Sequence, residues 1–386
     1  MKKTFFLSLL IMVFILVPLI ASCSNTATTT TAAPVKTPTA APASTSKPAA
    51  TTASTTAAAD TEVIKLKYSS PFGEKDEPTV LAYELMDYVE QNSNGRVQFE
   101  RYPAGILGTV PEQLQLVKTG SVDLASIIPI SSAEIPLSHF PIWVAGDAAA
   151  GVAATVKIMW ENSETAKLIQ DEWTANNVKL LFANAGSFSG TLVKFDCSTL
   201  DELKGKKIGL GQPPAKSAFS EKGVIEVSMN PPEMYEAMSR GLVDGVNNAI
   251  SSLITLDLYE LGKCVLVVRG WNIPQGLPAT INLEVFNKLP ADIQQLILDA
   301  AEKVKADSLA KADADLASDI KKLQDAGVTV KDMAPEDLAL WLDLGYEGQE
   351  QTFINDSTKA GKLDQANIIL NYSKQLRDQE KAALLK

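Results

Sequence analysis

Leu116-Val117-Lys118-Thr119-Gly120-Ser121-Val122-Asp123-Leu124 and, later in the chain, Ala237-Met238-Ser239-Arg240-Gly241-Leu242-Val243-Asp244-Gly245 share one design. Each reads as a helix end, a glycine stop, one residue, then Val-Asp leading into a strand. A glycine at such a stop takes the left-handed C-cap conformation that other residues adopt only at a steric cost. Two copies of one joint imply two lobes of related topology facing each other; chance likeness is the plainer alternative. In open α/β sheets, ligands sit beyond the carboxyl ends of the strands, so two such sheets face to face enclose a cleft.

The flanking pattern extends this reading. Residues 63–68 alternate as a strand, 69–73 form a loop, and 78–91 form a helix with Leu81, Leu85, Met86 and Val89 on one face. Residues 97–102 alternate again, 111–119 are helical and 122–128 form a third strand. This order predicts an α/β fold with mainly parallel sheets. Residues 179–183 read as a strand leaving the first lobe, and 206–210 and 264–268 as strands of the second. A helix runs from about 289 to 326, with Ile293, Leu296, Ile297, Ala300 and Val304 as its apolar stripe. At 1.5 Å per residue it reaches roughly 50 Å, long enough to brace both lobes. The expected division gives residues 61–185 with about 272–310 to lobe I, and about 186–271 with 311–386 to lobe II.

The amino terminus locates the protein. Lys2 and Lys3 precede an apolar run over 5–20, and Ile20-Ala21-Ser22 brings small residues up to Cys23. This resembles a bacterial lipoprotein signal over 1–22, with Cys23 acylated as the first mature residue. An uncleaved signal anchor is the alternative. Either way the body is expected at the outer face of the cytoplasmic membrane or in a periplasm. Residues 23–60 are almost entirely Ser, Thr, Ala and Pro. Such a segment buries too little apolar surface to offset its ordering entropy, and its random-coil reach is on the order of 30–40 Å. The 35 Lys and Arg against 46 Asp and Glu give a net charge of −11, which argues against a nucleic-acid partner. Cys197 and Cys264 either pair outside the cytoplasm or stand as two buried thiols.

The motifs in series resemble the solute-binding subunits of TRAP transporters, the DctP-like proteins. The matching stretches are Gly95-Arg96-Val97 with Tyr102-Pro103-Ala104-Gly105-Ile106-Leu107-Gly108, the two glycine joints, Asp201-Glu202-Leu203-Lys204-Gly205-Lys206-Lys207-Ile208, Pro232-Glu233-Met234-Tyr235-Glu236-Ala237-Met238, Leu258-Tyr259-Glu260, and Leu289-Pro290 with Ala300-Ala301-Glu302. They cover about residues 63–330. The resemblance implies a two-lobe, periplasmic-binding-protein-like fold with hinge strands and a long bridging helix. It also implies one small solute held between the lobes and membrane permease subunits as partners. After the Leu-Lys-Gly-x-Lys-Ile stretch the family usually places an arginine that clamps a ligand carboxylate; here Gly209 stands there. A second arginine would fall near Ser189. A bidentate guanidinium is hard to replace, so an organic acid is not the expected ligand. Lys194 and Arg269 are the candidate substitute cations.

Carried over position by position, the resemblance gives Pro71, Ile128, Gly209, Gln212, Pro231 and Asn248 as ligand contacts. Asn247 and Asn248 follow the second Val-Asp joint, where an amide offers both donor and acceptor. Phe72, Phe188 and Trp271 come close to strand ends as aromatic walls. The set is poor in charge and predicts a neutral or weakly polar solute, aromatic or amide-bearing. No enzyme, metal site or cofactor is expected. His139 is the sole histidine, without a partner set at ligand spacing, and neither Walker nor dinucleotide glycines occur. A receptor for an ATP-driven importer and a ligand-sensing lipoprotein remain as alternatives.

Overall fold

Alternation sets the first strand: Leu66 and Tyr68 are buried while Lys65 and Lys67 face outward. A computed structural model describes residues 63–141, 148–184, 187–211, 217–272 and 277–384. The signal segment, Cys23 and the linker expected over 1–60 lie outside the described residues. In chain order the elements are β1 (Ile64–Ser69), α1 (Glu77–Asn92), β2 (Val97–Tyr102), α2 (Gln113–Lys118), β3 (Leu124–Ile127), α3 (Ala148–Val156), α4 (Ser163–Ala175) and β4 (Val178–Phe182). Then follow β5 (Phe188–Val193), β6 (Lys207–Leu210), α5 (Ala218–Glu221), β7 (Ile225–Ser228), α6 (Met234–Ser239), β8 (Gly245–Ala249), α7 (Ile250–Thr255) and β9 (Cys264–Asn272). The chain continues through β10 (Leu277–Asn282), α8 (Leu283–Lys288), α9 (Ala291–Asp325), β11 (Thr329–Asp332), α10 (Pro335–Lys359) and α11 (Leu363–Leu384).

Two sheets form, in the orders β2-β1-β3-β10-β4 and β11-β9-β5-β8-β6-β7. Strands within each βαβ run pair in parallel. β10 is antiparallel to both β3 and β4, and β5 to both β8 and β9. The sheets are therefore mixed. The cause is topological: a strand arriving from the other lobe enters at the cleft edge and must run against strands whose carboxyl ends point there.

The two joints match atom for atom. Gly120 and Gly241 each have φ of +73°. The Asp123 carboxylate accepts from Lys67 N at 2.7 Å, and the Asp244 carboxylate from Lys207 N at 2.8 Å. Each aspartate thus caps the neighbouring parallel strand, β1 or β6, where that strand pairs with β3 or β8.

α9 belongs to both lobes. Ile293, Ile297, Ala300 and Val304 enter the lobe I core with Leu66, Tyr68 and Leu85. Leu316 and Leu323 enter the lobe II core with Leu192, Val246 and Val265. Cys197 and Cys264 are joined by a disulfide with Cα atoms 5.8 Å apart, which ties the segment after β5 to the start of β9.

The carboxy-terminal segment departs from its expected place wholly in lobe II. Trp341 and Tyr346 of α10 do pack in lobe II with Phe219 and Leu266. Phe353 of α10, with Ala366, Ile369, Leu370 and Leu376 of α11, joins the lobe I core beside Trp173 and Val178. An ion pair and a ring contact reinforce that docking: Lys362 meets the buried Glu172 at 2.7 Å, and His139 Nδ1 lies 3.3 Å from Asp356 Oδ2. The apolar stripe of α11 finds its complement on α4, which the sequence does not reveal.

Two stability measurements follow. Asp244→Ala, removing the cap on β6, is expected to lower unfolding free energy in urea by about 0.5–1.5 kcal/mol. Reducing the disulfide is expected to cost about 2–4 kcal/mol, read as a lower thermal midpoint together with two newly titratable thiols.

Candidate functional site

The carboxyl ends of β1 and β3 in lobe I, and of β6, β7 and β8 in lobe II, form the two edges where a ligand between the lobes would rest. On the lobe I edge stand Pro71 and Phe72 after β1 and Ile128 after β3, all half-buried. Their loop is fixed by its neighbours. Ala104 N donates to Phe72 O at 2.6 Å, Gly105 N to Ser70 O at 2.9 Å, and the Ser70 and Thr79 hydroxyls bond at 2.8 Å.

On the lobe II edge the expected residues separate. Phe188 is 1 % exposed and belongs to the core with Leu192 and Val246, so it is no wall of the cleft. Successive residues of a strand point to opposite faces. Asn247 lies on one face, where its amide nitrogen donates to Ser189 Oγ at 2.9 Å and Thr191 Oγ1 at 3.0 Å. Those bonds satisfy its donors, and Ser189 is buried beneath it. Asn248 lies on the other face, half-buried, with Oδ1 accepting from Ala249 N at 2.8 Å and Nδ2 directed at Met234 Sδ at 3.4 Å. A thioether is a weak acceptor, so this amide keeps donor capacity.

Gly209 is buried on β6, in register with Val227 of β7 and Val246 of β8. A Cβ added there would lie 2.7 Å from Met229 Sδ. Pro231 is exposed at the turn after β7. Trp271 falls within β9, but its side chain, like Gln212, lies outside the described residues.

Neither substitute cation reaches this edge. Lys194 Nζ donates to the Met238 carbonyl, beyond the opposite end of β5. Arg269 Nε pairs with Asp332 of the edge strand β11 at 2.8 Å. His139 is buried, with Nε2 3.1 Å from Ser132 O and Nδ1 3.3 Å from Asp356, a structural placement between lobe I and α10. Among the described residues, no group of three or more His, Cys, Asp or Glu is placed to hold a metal ion.

Four polar residues at the hinge, Asn184, Glu77, Asp76 and Thr255, escaped the sequence reading. Asn184, 2 % exposed, sits where the chain leaves β4 for lobe II. Its Nδ2 donates to Glu77 Oε1 at 3.0 Å, and its buried Oδ1 has no hydrogen-bond partner among the described residues. Burial pushes the Glu77 carboxyl above the usual carboxylate range, and Asp315 and Asp319 of α9 add to the rise against the Asn184 bond. Beside it, Thr255 Oγ1 of lobe II donates to Asp76 Oδ1 of lobe I at 2.9 Å, a direct link between lobes. Glu77 lies at the start of a helix, where sequence suggests only a favourable first-turn acid; its contact with Asn184 is long-range.

A raised carboxyl pKa means the folded state binds the proton more tightly than the unfolded chain. Stability from this group is therefore present at low pH and lost as pH rises from the unfolded carboxylate value through the folded one. Glu77→Gln is expected to raise the thermal midpoint at pH 7. That gain should shrink as pH is lowered to about 4, measured by scanning calorimetry across pH.

The DctP family model, described as bacterial extracellular solute-binding protein, family 7, matches residues 73–348. A curated solute-binding protein of Albidiferax ferrireducens is 25% identical over 297 residues, 74% of this chain and 85% of that protein. Among solved structures, a TRAP periplasmic solute-binding protein from Rhodoferax ferrireducens with bound malonate superposes with a TM-score of 0.65 at 22% identity, covering 81% of this chain and 98% of that one. A Bordetella pertussis extracytoplasmic solute receptor binding pyroglutamic acid gives 0.68 at 16% identity, covering 81% and 99%. The same two-lobe architecture is thus present in solved solute receptors, and the chain belongs to the DctP family of bacterial extracellular solute-binding proteins, a family of receptors rather than enzymes.

Proposed function

We propose that this protein is the solute receptor of a TRAP-type secondary transporter. It captures one small molecule between its lobes and presents it to membrane permease subunits. The observation that carries this is the pair of matched strand-end edges, joined by two crossing strands and directly bonded through Asp76 and Thr255. Closure about such crossings is populated in proportion to the solute's extra affinity for the closed form. The receptor supplies recognition; the permease and its ion gradient supply the driving force.

The solute is read as neutral or weakly polar. An anion buried without a cationic partner loses its hydration uncompensated. The lobe II edge offers the Asn248 amide, while Lys194 and Arg269 are engaged elsewhere. Acylation at Cys23 would hold the receptor at the outer face of the membrane, with the Ser/Thr/Ala/Pro stretch as its tether. Cys23→Ser should then shift the protein from the membrane fraction to the soluble extracytoplasmic fraction.

Native mass spectrometry of protein purified from its own host is expected to show one co-purified small molecule. Returning that molecule to the stripped protein at about 100 times its Kd should raise stability by about 2.7 kcal/mol and reduce the radius of gyration in X-ray scattering. The absence of both heat and compaction across a broad metabolite panel would overturn the receptor reading.

A further inference from the structure

We propose that Glu77 and Asn184 form a proton-operated latch between the lobes: the neutral acid closes a two-bond pair with the amide and keeps the crossing packed, and loss of its proton loosens it. Glu77 opens α1 in lobe I. Asn184 is buried where the chain leaves β4 for lobe II, and its Nδ2 donates to Glu77 Oε1 at 3.0 Å. Its Oδ1 is also buried and has no hydrogen-bond partner among the described residues. A buried acceptor left bare is costly and marks a missing donor. A carboxylate has no hydrogen to give, whereas a carboxylic acid accepts through one oxygen and donates through the other. Protonated Glu77 thus satisfies both ends of the amide, accepting from Nδ2 and donating to Oδ1. The charged form satisfies only the first.

The groups around the pair act in the same direction. Asp76, immediately before Glu77, is held by Thr255 Oγ1 of lobe II at 2.9 Å. Asp315 and Asp319 of α9 flank Leu316, which is buried in the lobe II core, and both favour the proton on Glu77. Lys322 pairs with Asp319 at 3.0 Å. β10, packed against α1, carries no titratable side chain, and Glu74 and Lys75 before α1 are exposed. Among the described residues, no cation forms an ion pair with Glu77.

The carboxyl is therefore held between α1 of lobe I, the crossing segment, and the half of α9 that belongs to lobe II. Where the lobes loosen, water reaches the carboxyl and its proton affinity returns toward the ordinary carboxylate value. Packing favours the proton, so by linkage the proton favours packing. This advantage is fully present below the ordinary carboxylate value and is lost as pH rises through the raised one. A single linked proton changes the ratio of packed to loosened molecules by at most about tenfold per pH unit across that window.

The test needs no solute. Nitroxide labels at Gln91→Cys in lobe I and Lys204→Cys in lobe II, both exposed positions, report the distance between lobes by double electron–electron resonance in the ligand-free chain. Wild type, followed from about pH 4 to about pH 8, is expected to pass between two distance populations with a one-proton midpoint above the ordinary carboxylate value. Glu77→Gln offers the same acceptor and donor as the neutral acid without titrating, and is expected to hold the low-pH distribution throughout. Glu77→Ala, with nothing to pair, is expected to hold the high-pH distribution throughout. Thermal midpoints verify that each variant is folded. A wild-type distribution unchanged over this range, or a Glu77→Gln response to pH as large as that of wild type, would overturn the proposal. Either result leaves the solute-receptor reading intact, because that reading is judged by capture of a solute.

Discussion

Neither sheet can be completed by its own continuous stretch of chain. β10 comes back from the second lobe and lies between β3 and β4; without it, β4 has no partner in the first sheet. β5 arrives from the first lobe and lies between β8 and β9, so it alone connects β9 and β11 to the rest of the second sheet. Each crossing strand is therefore both the link between lobes and a structural centre. Its backbone groups are paired on both edges, which leaves bending to the short connections between lobes rather than to the strands.

This constraint explains the helices around it. Two lobes joined only by crossings would be free to splay, and the long helices limit that freedom. α9 buries its first half in lobe I and its second half in lobe II. α10 repeats the device from the other lobe, with Trp341 in one core and Phe353 in the other. The polar contacts Asp76 with Thr255 and Glu77 with Asn184 lie at the crossing between the lobes. A carboxyl there is held against its solvation preference, whereas the exposed ion pairs along α9, such as Lys303 with Asp307, contribute little.

The cleft edges show how one scaffold accommodates different chemistry. The strand ends present positions, and the side chains at those positions decide what is recognised. In this chain Ser189, Thr191 and Asn247 satisfy one another on one face of the lobe II sheet, and the Asn248 amide stands on the other.

What could be read from the residues alone was local. Gly120 and Gly241 announced left-handed caps, alternation announced β1 and β2, and the stripe from Ile293 to Val304 announced the start of α9, because caps, pleats and helical faces arise between near neighbours. The twin Val-Asp joints carried this further, since repeating one local device implied two related lobes. Residues far apart in the chain settled the rest. Whether Phe188 lined the cleft or entered the core depended on which face of β5 met α7. That Asn247 meets Ser189 and Thr191 followed from the register of β8 against β5. Met229 over Gly209, Asn184 against Glu77, and α11 returning to lobe I are all contacts between elements whose packing has no signature in periodicity or composition, so only the assembled chain could decide them.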